Sequence, residues 1–174
     1  MKLTLMRAKQ VVAASVLILV AFLIVFPPLV NGGVKVTISS IASAHADHVY
    51  VTIGEISARR TDLTGPSAWQ TISNKSSVVD LAAENTSETV VLGTLTLGQY
   101  ETIRVKVTNA TAIVNGTSQK VQLESSVFPI PISFLVGLGR DTVIGLKVTP
   151  ELQQTTDGVQ LKLSFAAAVA SPPS

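Results

Sequence analysis

VQLKLSFAAAV, residues 159–169, decides the fold. Val159, Leu161, Leu163, Phe165, Ala167 and Val169 stand on one side of a two-residue repeat, and Gln160, Lys162 and Ser164 on the other. Successive side chains of a strand point to opposite faces, so this alternation predicts a strand with one face in a core. The same pattern extends toward the N-terminus. Ile103, Val105 and Val107 alternate with Arg104 and Lys106; Val49, Val51 and Ile53 alternate with His48, Tyr50 and Thr52. Val34, Val36 and Ile38 alternate with Lys35, Thr37 and Ser39. After Gly54 the phase changes and Ile56 and Ala58 become the inward set, which predicts a β-bulge at the glycine. Further strands are expected at 69–72, 78–82, 89–95, 120–123, 132–136 and 142–148. Turn residues separate them: 61–66, Asn115-Gly116, Gly137-Leu138-Gly139 and Thr156-Asp157-Gly158. Pro129 and Pro131 make their stretch an edge or a crossover rather than a central strand. No segment after residue 34 has a helical period. The expected fold is therefore all-β over residues 34–170: an immunoglobulin-like, Greek-key, antiparallel β-sandwich.

What precedes the strands has a different character. The chain has 174 residues, is 47% hydrophobic and only 14% charged. Residues 11–26 carry no charge, and the apolar run continues to Val30 across Pro27 and Pro28. Twenty such residues make a helix of about 30 Å, the thickness of a bilayer's hydrocarbon core. Lys2, Arg7 and Lys9 precede the run, with no acidic residue among them. The sequence thus predicts a single transmembrane helix preceding the sandwich. A basic cytoplasmic tail spans 1–10, the membrane anchor 11–30, a linker 31–33 (Asn31-Gly32-Gly33) and a frayed tail 171–174. The positive-inside rule sends the sandwich to the extracytoplasmic side of the cell membrane. Phe26-Pro27-Pro28-Leu29-Val30 is a poor cleavage site, which favours an uncleaved signal anchor. Arg7-Ala8 ahead of the apolar run also resembles the leader site of archaeal type IV pilins, which pair a hydrophobic helix with a β-sandwich head. Lys9 is unusual there.

Composition excludes several functions. There is no cysteine, hence no disulfide, thiolate nucleophile, Cys-ligated metal or lipid-modified cysteine. The net charge of +2 comes from the first nine residues. The remainder is close to neutral, so no nucleic-acid partner is expected.

The segment Leu95-Thr96-Leu97-Gly98-Gln99-Tyr100-Glu101-Thr102-Ile103-Arg104-Val105 is the most specific in the domain. Gly98 permits a tight turn, and the Tyr100 hydroxyl is placed to bond back to the backbone upstream, as in a tyrosine corner. Two strands at 34–42 and 48–60, then Trp69-Gln70-Thr71-Ile72 and Val79-Asp80-Leu81, precede it. In this order the chain resembles an uncharacterised family of extracytoplasmic β-sandwich domains of bacteria and archaea, catalogued as a domain of unknown function. The resemblance covers most of 34–169. An Asp-Ala-Pro-like turn common after that family's first strand is replaced here by Ala44-His45-Ala46-Asp47. The resemblance implies fold and location and supplies no catalytic residue.

Candidate sites are few. Four of the five asparagines, Asn74, Asn85, Asn109 and Asn115, begin Asn-x-Ser/Thr. This frequency exceeds what Ser/Thr content produces by chance and predicts N-glycosylation, as in an archaeon or a eukaryote. His45, Asp47 and His48 bring together both histidines and a carboxylate, a weak metal signature whose plainer reading is a solvated hairpin loop. Asp62, Asp141 and Asp157 offer loop carboxylates without the spacing of a calcium loop. Tyr50, Trp69 and Tyr100 read as core or corner residues rather than a glycan-binding face. Arg59-Arg60 reads as an exposed strand end, with lipid headgroups or a partner as the sharper alternative. No Gly-x-Ser-x-Gly elbow, His-Glu-x-x-His or phosphate-binding loop occurs, so the chain is read as a non-enzyme without cofactor. The function expected is a structural or binding module with protein or glycan partners at the cell surface. The alternatives are a pilin-like filament subunit and a metal- or ligand-dependent sensor.

Overall fold

The two-residue repeats all become strands, and their apolar faces meet between two sheets. The computed structural model describes residues 31–41, 46–82, 89–156 and 158–170. The expected tail, membrane helix and C-terminal tail lie outside these residues. Among them, no helix is long and apolar enough to cross a membrane. In chain order the strands are β1 (Asn31–Ser40), β2 (His48–Arg60), β3 (Trp69–Ser73), β4 (Ser77–Asp80), β5 (Thr89–Thr96) and β6 (Gly98–Val114). Then come β7 (Thr117–Lys120), β8 (Gln122–Leu123), β9 (Val127–Val136), β10 (Thr142–Thr155) and β11 (Gly158–Ala170).

One sheet runs β5-β1-β10-β11-β8. The other has β2 and β6 at its centre. β3 and β4 follow one another along the free side of β2, and β9 and β7 along the free side of β6. The expectation of an antiparallel sandwich needs correction in the first sheet. β1 pairs with β10 in parallel, from Val34 opposite Thr142 to Ser40 opposite Val148, and β8 pairs with β11 in parallel. Alternation fixes which face a strand buries and not which neighbour it takes, so parallel pairing is invisible to it. The expected linker is corrected too. Asn31, Gly32 and Gly33 are the first residues of β1 and pair with Thr96, Leu95 and Thr94 of β5. Gly33 has Asp141 packed where a Cβ would stand, so the small residues serve close packing rather than flexibility.

The core follows the predicted faces. Val34, Val36 and Ile38 of β1 and Ile144, Leu146 and Val148 of β10 meet Val49, Val51, Ile103, Val105 and Val107 from the second sheet, all buried. Each such side chain contributes about 1.5–3 kcal/mol through the water it sheds. The bulge at Gly54 is present. Thr52 faces Asn109, Ile53 faces Val107 and Glu55 faces Lys106, so Gly54 on β2 and Thr108 on β6 are each one residue in excess. The two breaks offset one another. Beyond them Ile56 and Ala58 are the buried set on β2, and Ala110 and Ala112 on β6.

Some boundaries differ. The strand expected at 120–123 is two strands in different sheets, β7 and β8, with buried Val121 at the crossing. β9 reaches back through Pro129 and Pro131 to Val127 and pairs with β6 alone, an edge as the prolines require.

Candidate functional site

A polar assembly is built where β2 ends and β5 turns into β6. Tyr100 is buried, with its ring stacked on Phe134 at 5.1 Å between centroids. Its hydroxyl lies 2.8 Å from both the Thr96 carbonyl and Gln70 Oε1, so its one hydrogen is shared between them. The backward bond to Thr96 is the corner contact expected from the sequence. Gln70 Oε1 also receives the Thr96 amide at 3.2 Å and the Thr96 hydroxyl at 2.9 Å. Arg60 closes the assembly. Its Nη1 donates to Thr96 Oγ1 at 2.8 Å, and its Nε and Nη2 grip both oxygens of Asp62 at 2.7 and 2.5 Å. Gly98, at φ +150°, leaves the space for the guanidinium, because a Cβ there would stand 3.1 Å from Arg60 Nη2. Arg60 is therefore not the exposed strand end that the sequence suggested; its side chain is 18% exposed.

The electrostatics follow from these contacts. The hydrogen bond to Asp62 raises the Arg60 pKa above its ordinary value, and the bond from Arg60 lowers that of Asp62. Burial pushes the Tyr100 phenol up despite the opposing hydrogen bond with Thr96. No group here is poised to exchange a proton near neutrality. The assembly is a clamp that fixes a corner.

The outward face of the second sheet carries a different arrangement. Arg104 lies over the ring of Trp69, 4.3 Å from its centroid, a cation–π contact. Its Nε donates to Ser57 Oγ at 3.1 Å, and its Nη2 stands 3.5 Å from Glu55. Arg59 and Glu101 pair beside it at 3.3 Å. Trp69 is thus half-buried on the outer face beneath an arginine and not in the core, a correction to the sequence reading. Periodicity could not have found this, because Arg104 and Trp69 sit on strands with β2 between them.

Of the three candidate metal ligands, the two that can be located, Asp47 and His48, take different partners. His45 lies outside the described residues. Asp47 accepts the Gly116 amide at 2.9 Å. His48 stacks on Tyr50 and its Nδ1 is 2.6 Å from Asp80 Oδ2, while Asp80 Oδ1 takes the amides of Val49 and Ala82. Burial pushes the Asp80 carboxyl up, but the bonds from His48, Ala82 and Val49 outweigh it and hold the pKa below its ordinary value. Among the described residues no group of three or more His, Asp or Glu could hold a metal ion. The sequence placed Asp80 inside the strand expected at 78–82 and gave it no role.

Three sequons can be located. Asn74 is exposed in the loop after β3. Asn109 is exposed within β6, opposite Thr52. Asn115, at φ +49°, forms the β6–β7 turn with Gly116 at φ +73°, both in the left-handed region that a type I′ hairpin needs. Asn85 lies outside the described residues. Beside Asn74, an open cleft of about 310 Å³ is lined by Ser73, Lys75, Ser76, Ser77, Val91 and Leu92.

Comparison with known proteins adds one match. The family described as "Domain of unknown function (DUF4382)" matches residues 31–170. No curated protein and no solved structure matches the chain.

Proposed function

This chain belongs to the DUF4382 family, and from that premise we propose that it is a membrane-anchored extracytoplasmic β-sandwich, N-glycosylated, acting as a structural or binding module at the cell surface. One juxtaposition carries the reading. The uncharged run ends at Val30 and the folded domain begins at Asn31, already paired in β1. An apolar segment of bilayer length followed in sequence at once by a paired strand suits a short tether better than a detachable leader. The immunoglobulin-like reading of the sandwich rests on the corner bond from Tyr100 to Thr96. The outer-face group of Arg104, Trp69, Arg59 and Glu101 supports the binding role. It is a rigid aromatic and charged patch already held by its own contacts, so a partner orders few side chains on docking.

Mass spectrometry of the protein from its native host tests the proposal. We expect an N-terminus at or near Met1 in the membrane fraction, with glycans on Asn74 and Asn115. An N-terminus at Lys9 in sheared filaments replaces the anchor with a pilin-type subunit. An N-terminus near Asn31 in the medium makes the domain a secreted one. Bare sequon peptides remove the glycan from the reading.

A further inference from the structure

The two strands that flank one open side of the sandwich treat their edges differently. β9 carries Pro129 and Pro131, which lack an amide hydrogen and so blunt the edge facing away from β6. β11, in the opposite sheet, has no such protection. Its pairing with β8 covers Gln160 and Leu161, and the Glu124 amide adds a bond to the Leu161 carbonyl. From Lys162 to Ala170 that side of β11 is paired with no strand among the described residues. Because Leu161 turns its carbonyl to this side, alternation turns the amides and carbonyls of Leu163, Phe165, Ala167 and Val169 the same way. Residues 163–170 read LSFAAAVA, with no charge and no proline. Long, uncharged edges are the ones on which another strand adds. Behind this edge Phe165 and Ala167 are only partly buried, Phe165 against Phe128 with ring centroids 4.9 Å apart.

We propose that β11 pairs with β11 of a second copy of this chain, antiparallel about a two-fold axis at Ala166, joining the two five-stranded sheets into one. The sequence of the edge selects this occupant. In that register Leu163 meets Val169 and Phe165 meets Ala167, a large residue against a smaller one each time. All four have their amides and carbonyls on the open side, so the pairs exchange main-chain hydrogen bonds, roughly eight in all. Ala166 meets itself, and Ser164 meets Ala168. Lys162, the nearest charge on β11 itself, falls opposite Ala170, so the two strands oppose no like charges. A two-fold contact of this kind closes on itself and stops at a dimer.

The absence of native cysteine gives a register-specific test in the full-length chain, in detergent. Across the axis Ala166 faces its own copy in a non-hydrogen-bonded pair, about 4.5 Å between Cα atoms, within the span of a disulfide. Ala168 is displaced from its copy by four residues, roughly 13 Å along the strand, outside that span. Under mild oxidation, Ala166→Cys is expected to give a covalent dimer and Ala168→Cys at least tenfold less. Sedimentation velocity of the unmodified protein should show a dimer, and Ala167→Pro, which deletes one open-edge amide, should shift it toward monomer. A monomer in sedimentation overturns the proposal. So does equal cross-linking of the two cysteine variants, the mark of association through detergent or another surface. A stable one-to-one complex with a different protein, lost on Ala167→Pro, also overturns it and assigns the edge to that partner.

Discussion

Asp80 shows how much one carboxylate can hold in an all-β domain without cysteine. It accepts from two amides and from His48, and so ties the end of β4 to the start of β2. Its pKa is held below the ordinary value in the folded state. A depressed carboxylate contributes stability that is present above its unfolded pKa, about 3.9, and lost as pH falls through the folded value. Asp80→Asn keeps an acceptor for the amides but loses the charge. We expect it to be less stable than the parent by about 1 kcal/mol at pH 7, with the gap closing below about pH 4. Urea denaturation of both proteins at the two pH values checks this; a gap unchanged by acid would show that the charge contributes nothing. The pair could not be read from the sequence, because its members lie 32 residues apart on strands whose adjacency no local pattern encodes. Tyr100 was legible because its acceptor, the Thr96 carbonyl, is four residues away.

At the scale of elements, local pattern set the faces and left the neighbours open. Gly54 marked its bulge because the phase of buried residues changes within one strand, where a reader of the sequence can see it. The parallel union of β1 and β10 left no such trace. Gly93 of β5 is an intermediate case. A Cβ there would stand 2.1 Å from the Ile72 carbonyl oxygen of β3, so the glycine lets strands of the two sheets touch by their backbones. The sequence showed a glycine in a strand and not what lay against it. Gly93→Ala forces those backbones apart, and we expect a loss of about 2–3 kcal/mol in chemical denaturation, the upper part of the usual penalty of an overpacked core. A loss under about 1 kcal/mol would mean that β3 shifts freely.

For the whole molecule, the long-range pairings set the folding rate. β1 and β10 come together from opposite ends of the domain; Thr37 Oγ1 bonds the Ile144 carbonyl across 107 positions of sequence. Loop closure on that scale precedes any reward from the pairing, so the domain should refold in milliseconds to seconds rather than microseconds. Stopped-flow fluorescence of Trp69 reads this directly, and a microsecond phase carrying the whole amplitude would contradict it. The candidate site shares the limitation of the sheets. Its corner clamp joins β2, β3, β5 and β6, and only the Tyr100 part of it falls within one short stretch of chain.

The same parallel pair governs what happens during synthesis. A ribosome delivers β1 first and β10 about a hundred residues later, an interval of roughly 5–20 s at ordinary elongation rates. Through that time Val34, Val36 and Ile38 have left the exit tunnel with β5 as their one possible sheet neighbour, and that only once β5 has followed. The nascent chain is thus obliged to carry a bare, branched-aliphatic strand for seconds. Completion of the first sheet waits on β10 and β11 and not on the strands made first.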